Sequence, residues 1–160
     1  MKNALFIVLI LGLVAGGGWW FVSARDARHA NMVTMENAAT EALLQAIIRE
    51  NDAPQPKFYF VGFGTPPTDP SRLFLARFAT HVPPVRGTSS ATTVRNGLVQ
   101  ETASGRTGVV IQVIYFKKIK AGTFDLQVRF PKLATGPNQF TYRMIQNGTE
   151  WGIKYKVPSR

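Results

Sequence analysis

The sequence predicts an α+β fold in which one long amphipathic helix lies on a curved antiparallel sheet of four to five strands, with a short additional helix, behind an N-terminal transmembrane helix. Three observations predict it. Ala4 to Val22 is an uncharged, mostly apolar run directly behind Met1-Lys2-Asn3. Apolar residues then recur at helical spacing between Asn31 and Asn51. From Leu98 onward, apolar and polar residues alternate in segments broken by glycine-containing turns, the pattern of strands with one dry and one wet face. The chain accordingly divides into an anchor or signal segment over residues 1–24, a juxtamembrane segment with the helix over 25–56, and a basic sheet region over 57–160 that forms one domain with the helix.

The first apolar run is 19 residues long, which as a helix reaches roughly 28 Å, close to the hydrocarbon thickness of a bilayer. Trp19 and Trp20, near its far end, are the expected membrane-interface residues, because amphipathic indoles favour the headgroup layer. These features predict a single-pass cell-membrane protein. Its C-terminal domain is expected outside the cytoplasm, since a first apolar segment so near the N-terminus behaves as an export signal. Cleavage near Ala24, giving a secreted or periplasmic product, is the alternative. The small residues Val22-Ser23-Ala24 and the helix-weakening Gly16-Gly17-Gly18 favour it. The chain has no cysteine, which excludes disulfides, thiolate metal sites and a cysteine nucleophile.

From Asn31 to Asn51, Met32, Met35, Ala39, Leu43, Ala46 and Ile47 recur at three- and four-residue steps, and Leu44 and Ile48 widen the stripe. Glu36, Glu41 and Glu50 fall on the polar side, and Pro54 and Pro56 forbid continuation. Such a stripe packs on a sheet or, left uncovered, pairs with a second copy in a homodimer. Phe58 to Phe63 reads as a buried strand closed by Gly64 and Thr65-Pro66-Pro67-Thr68. Asp69-Pro70 then predicts the start of a short helix running to about Thr80, with Asp69 accepting first-turn amides and Pro70 at the first helical position.

A polar stretch from Gly87 to Asn96 precedes an antiparallel meander: Leu98 to Thr102, the Gly105 turn, Val109 to Phe116, and the Lys120-Ala121-Gly122 turn. Phe124, Leu126, Val128 and Phe130 then alternate with Asp125, Gln127 and Arg129. In the last hairpin Phe140, Tyr142 and Met144 alternate, Asn147-Gly148 supplies the turn, and Trp151, Ile153, Tyr155 and Val157 alternate back, leaving Lys154 and Lys156 outward.

This order of elements resembles the cystatin-like and NTF2-like α+β folds. More narrowly, Gly62-Phe63-Gly64, Asp69-Pro70-Ser71, Phe74-Leu75-Ala76-Arg77-Phe78, His81 and Pro83-Pro84-Val85 resemble a pattern of small exported bacterial domains of unassigned function. The resemblance covers about Lys57 to Tyr155 and brings no catalytic residues with it.

No reaction centre or cofactor site is evident in the residues. The only histidines, His29 and His81, are not at ligand spacing, and Ser71, His81 and Asp69 lack the Gly-x-Ser-x-Gly elbow of a triad enzyme. Gly62-Phe63-Gly64 lacks the third glycine and following helix of a dinucleotide turn. A pocket of the NTF2-like kind would draw on Tyr115, Asp125 and Tyr142, although Asp125 falls on the polar phase of its strand, where a solvated or cross-strand role fits better.

Charge is the remaining signal. Residues 25–56 hold three Arg against five acids, while residues 57–160 hold fifteen Lys and Arg against four. Lys117, Lys118, Lys120, Arg129, Arg143, Lys154 and Lys156 form the expected anion-binding face. For an exported domain its partners are membrane lipid, an envelope polymer or an acidic protein, rather than nucleic acid. The function expected is a non-enzymatic, membrane-tethered binding or assembly module, with a polyanion-binding domain and an NTF2-like ligand binder or enzyme as alternatives.

Overall fold

In the computed structural model, residues 35–50, 58–94, 98–130 and 138–159 are described. The chain divides into two compact units, Met1–Val33 and Thr34–Arg160, and every described residue belongs to the second. That unit holds helix α1 (Ala38–Glu50), strand β1 (Phe58–Phe63), helix α2 (Arg72–Ala76), and strands β2 (Val85–Gly87), β3 (Ala91–Thr93), β4 (Val99–Glu101), β5 (Thr107–Lys120), β6 (Thr123–Arg129), β7 (Gln139–Asn147) and β8 (Glu150–Pro158).

The expected architecture is corrected on three counts. The sheet has eight strands and is mixed, in the order β2-β1-β5-β6-β7-β8, with β3 attached through β4 to β5. β1 runs parallel to both β2 and β5. The helix is 13 residues long and does not fill the stretch from Asn31 to Asn51. Finally, no helix among the described residues is long and apolar enough to cross a membrane. This corrects the single-pass membrane reading, including the location drawn from it. The run Ala4 to Val22, with Trp19 and Trp20, lies outside the described residues.

Local chemistry explains the shorter helix. Asn37 caps it, its side-chain oxygen accepting the Thr40 amide at 3.0 Å and its carbonyl the Glu41 amide at 3.0 Å. Ala39, Thr40, Leu43, Leu44, Ile47 and Ile48 are buried, so the apolar stripe is used within the chain, against β7 and β8. Each fully buried Leu or Ile contributes about 1.5–3 kcal/mol.

β1 is interior because all six of its residues are apolar or glycine and all six are buried, which requires cover on both faces and a neighbour along both edges. Tyr59, Val61 and Phe63 join the main core with α1, Ile111, Val113, Leu126, Val128, Tyr142 and Met144. Phe58 and Phe60 point the other way and meet Val99 in a second, smaller cluster with Ala91 and Val110 against it. Gly62 is needed for close approach: a Cβ there would sit 2.8 Å from the Thr88 methyl and 2.9 Å from Pro67.

Asp69 does not cap α2. That role falls to Ser71, whose Oγ accepts the Phe74 amide at 3.1 Å. Asp69 instead accepts from Thr88 Oγ1 at 3.0 Å, from the Ser89 amide at 2.8 Å and from Ser89 Oγ. It thereby pins the β1–α2 connection to the 3-10 turn Thr88–Ser90, which, with β2 and β3, occupies the stretch expected to be merely polar. α2 ends at Ala76, short of Thr80.

Candidate functional site

The outward face of β5–β8, opposite α1, is shaped by three register shifts, one of them between Lys118 and Lys120 at the end of β5. Val113 pairs with Val128 and Tyr115 with Gln127, so Ile114 is an extra residue in β5. Met144 pairs with Ile153 and Arg143 with Tyr155, so Lys154 is an extra residue in β8. An extra residue inverts the inside–outside phase of the strand beyond it. Val113 is fully buried and Tyr115, two positions on, is 47% exposed. Likewise Ile153 packs on the core, whereas Tyr155 lies across from Arg143.

Cross-strand pairing then sets four rows on this face, the last of them Lys120, Thr123, Ile145 and Gly152. One is Lys117, Asp125, Arg143 and Tyr155; the next is Tyr115, Gln127, Thr141 and Val157; the third is Gln112, Arg129 and Gln139. In the first, Arg143 grips Asp125 in bidentate fashion, Nε to Oδ1 and Nη2 to Oδ2, both at 2.7 Å. The hydrogen bonds from Arg143 to the Asp125 carboxylate raise the Arg143 pKa and hold the guanidinium protonated. The same guanidinium lies 4.9 Å from the centre of the Tyr155 ring, a cation–π contact. In the third row, Arg129 donates to Gln139 Oε1 at 3.1 and 3.2 Å. Tyr115, Tyr155 and Val157 belong to neither hydrophobic cluster.

No family model, curated protein or solved structure matches this chain.

The structure disperses the pocket residues expected from the sequence. Tyr115 and Asp125 lie on the outward face, while Tyr142 is 1% exposed in the core on the opposite face. Burial, and secondarily the charge of Glu50, push the Tyr142 pKa up to about 12. Asp125 takes the cross-strand role. Among the described residues no group of three or more His, Asp or Glu side chains is placed to hold a metal. His81 sits in the connection after α2, its Nδ1 3.1 Å from the Pro83 carbonyl.

The seven basic residues are also divided between faces. Lys117, Arg129 and Arg143 share the outward rows. Lys156 falls in register with Tyr142 and lies 4.6 Å above the Phe140 ring and 5.5 Å above that of Tyr142. Its expected outward phase is thus corrected by the bulge. Lys118 falls in register with Phe124 on the core side, Lys120 falls in register with Thr123 on the outward side next to the turn, and Lys154 is the bulged residue. The acidic helix segment meets the basic region within the fold, through Glu41 to Arg77 at 3.0 Å and Glu36 to Ser71.

Sequence reasoning missed Tyr155 and Val157 as outward residues. Ile153-Lys154-Tyr155-Lys156-Val157 reads as unbroken alternation, so nothing local marks the bulge. The partnership of Asp125 with Arg143 could have been found by aligning β6 with β7 through their apolar residues, which sets the two opposite each other.

Proposed function

We propose that this protein is a non-enzymatic binding or assembly module that meets its partner through the outward face of β5–β8. One observation carries the reading. Tyrosines and cations stand together on a sheet face from which the core residues have been turned away, with Tyr115 and Val157 exposed at 47% and 44%. Tyrosine and arginine are the side chains that dominate binding energy at protein interfaces. An enzyme or ligand carrier built on Tyr115, Asp125 and Tyr142 is less well supported, since the three do not share a face.

The test is site-specific photo-crosslinking in cells that produce the full chain. A benzophenone amino acid at Tyr115 or Val157 is expected to yield one adduct of defined mass, and the same group at Leu73, 82% exposed on α2, is expected to yield none. Equal labelling from all three positions, or no discrete adduct from Tyr115 and Val157, counts against the outward face.

A further inference from the structure

We infer that the partner of the outward face is a carboxylate-rich protein segment carrying aromatic side chains, and not a phosphate or sulfate polymer; the inference rests on the proposed binding role of that face. The whole chain carries +10, which by itself would suit any polyanion. The face is different. Its four rows hold four cations, Lys117, Lys120, Arg129 and Arg143, against one carboxylate, Asp125, which leaves +3.

A polyelectrolyte gains affinity by releasing counterions at each neutralised charge, so a surface with this few cations gives it little. Asp125, paired with Arg143, also interrupts the positive charge of its row, which suits carboxylates spaced along a mixed segment better than a continuous line of phosphates. Lys118 and Lys156 register with core-side residues and do not extend the outward charge. The rows instead interleave charge with Tyr115, Tyr155 and Val157. That mixture is complementary to a protein segment in which acidic and aromatic side chains alternate.

Arg143 is the prepared element. Asp125 and the Tyr155 ring hold its guanidinium in place, so little side-chain entropy is lost when a partner arrives. Tyr115, unpacked on the adjacent row, offers a ring for an aromatic contact. Lys117, at the open end of the charged row and in no ion pair among the described residues, offers the charge for an incoming carboxylate.

The experiment titrates the purified full chain at physiological salt with four probes: poly-glutamate, a random glutamate–tyrosine copolymer, heparin and a single-stranded thymidine oligonucleotide. The copolymer is expected to bind at least about tenfold more tightly than poly-glutamate, the gain that one buried aromatic contact gives at an interface. Tyr115→Ala is expected to abolish that advantage, and Lys117→Glu to weaken both peptides about equally. Both residues are exposed or nearly so on the outward rows, so the variants are expected to melt with the parent, and Val157→Ala is a further exposed substitution that should reduce only copolymer binding. Tighter binding of heparin or the oligonucleotide than of the copolymer overturns the inference, as does equal affinity for the two peptides or indifference to Tyr115→Ala. Such a failure alongside a defined crosslink from Tyr115 removes the acidic-segment assignment and leaves the binding surface standing.

Discussion

The two faces of the β5–β8 sheet are made from the same strands and do opposite things. On the α1 side, Leu126, Val128, Ile111 and Val113 are fully buried and Tyr142 and Met144 almost so. On the other side Tyr115 and Val157 are exposed, and the polar residues are tied to each other across strands instead of to a core. The difference teaches that stability is concentrated on one face, which leaves side chains on the other free to be chosen for contact. The bulges at Ile114 and Lys154 make this division possible in strands whose amino-acid order would otherwise point Tyr155 and Val157 inward.

The contrast can be broken or sharpened by substitution. Leu126→Ala, on the buried face, should show the largest effect, about 2–5 kcal/mol less stability from lost burial and the cavity left behind, measured by urea unfolding. Alkaline pH comes next. Tyr142 ionises near its ordinary value when unfolded and at about 12 when folded. Its contribution is therefore complete below about pH 10 and lost as pH rises toward 12, with roughly 2–3 kcal/mol at stake. Tyr142→Phe should flatten the fall in melting temperature over that interval, and an unchanged fall would place the alkaline sensitivity elsewhere.

Smaller effects are expected where a polar atom sits badly or hardly matters. Thr40 is fully buried in α1 and its hydroxyl has no hydrogen-bond partner among the described residues. Thr40→Val, of the same shape, should raise stability by about 1 kcal/mol in the same unfolding assay. Tyr115→Ala should change stability by less than about 0.5 kcal/mol. A loss as large as that of Leu126→Ala would show that the outward face is part of the core and would erase the contrast.

Local patterns that rest on pairs of neighbouring residues were legible in the sequence. The alternation from Phe124 to Arg129 reports the two environments of β6, and Leu126 and Val128 are buried while Asp125 and Gln127 are not. The stripe through Leu43, Leu44, Ile47 and Ile48 identifies the buried side of α1. What was not legible depends on partners distant in sequence. Nothing near Phe58 to Phe63 states that the strand pairs in parallel with Val85–Gly87 and with Thr107–Lys120. A three-residue strand such as Val85–Gly87 carries too few positions to show a period. Asp69 reads as a helix cap because Pro70 follows it, and only the approach of Thr88 and Ser89 diverts its carboxylate. The last turn is also displaced by one residue: Asn147 pairs with Glu150, so Gly148, with φ of 62°, and Thr149 form the loop instead of Asn147-Gly148.

The bulge in β8 also sets how this strand can change length. Because Lys154 is opposed by no residue of its own, losing it would leave Ile153 across from Met144 and Tyr155 across from Arg143, as they are now. Loss of Gly152, which does have an opposite number in Ile145, would slide one end of the hairpin against the other and exchange what is hidden for what is shown. β8 thus carries one position at which a deletion is harmless to its orientation, beside others at which the same deletion would turn the strand inside out.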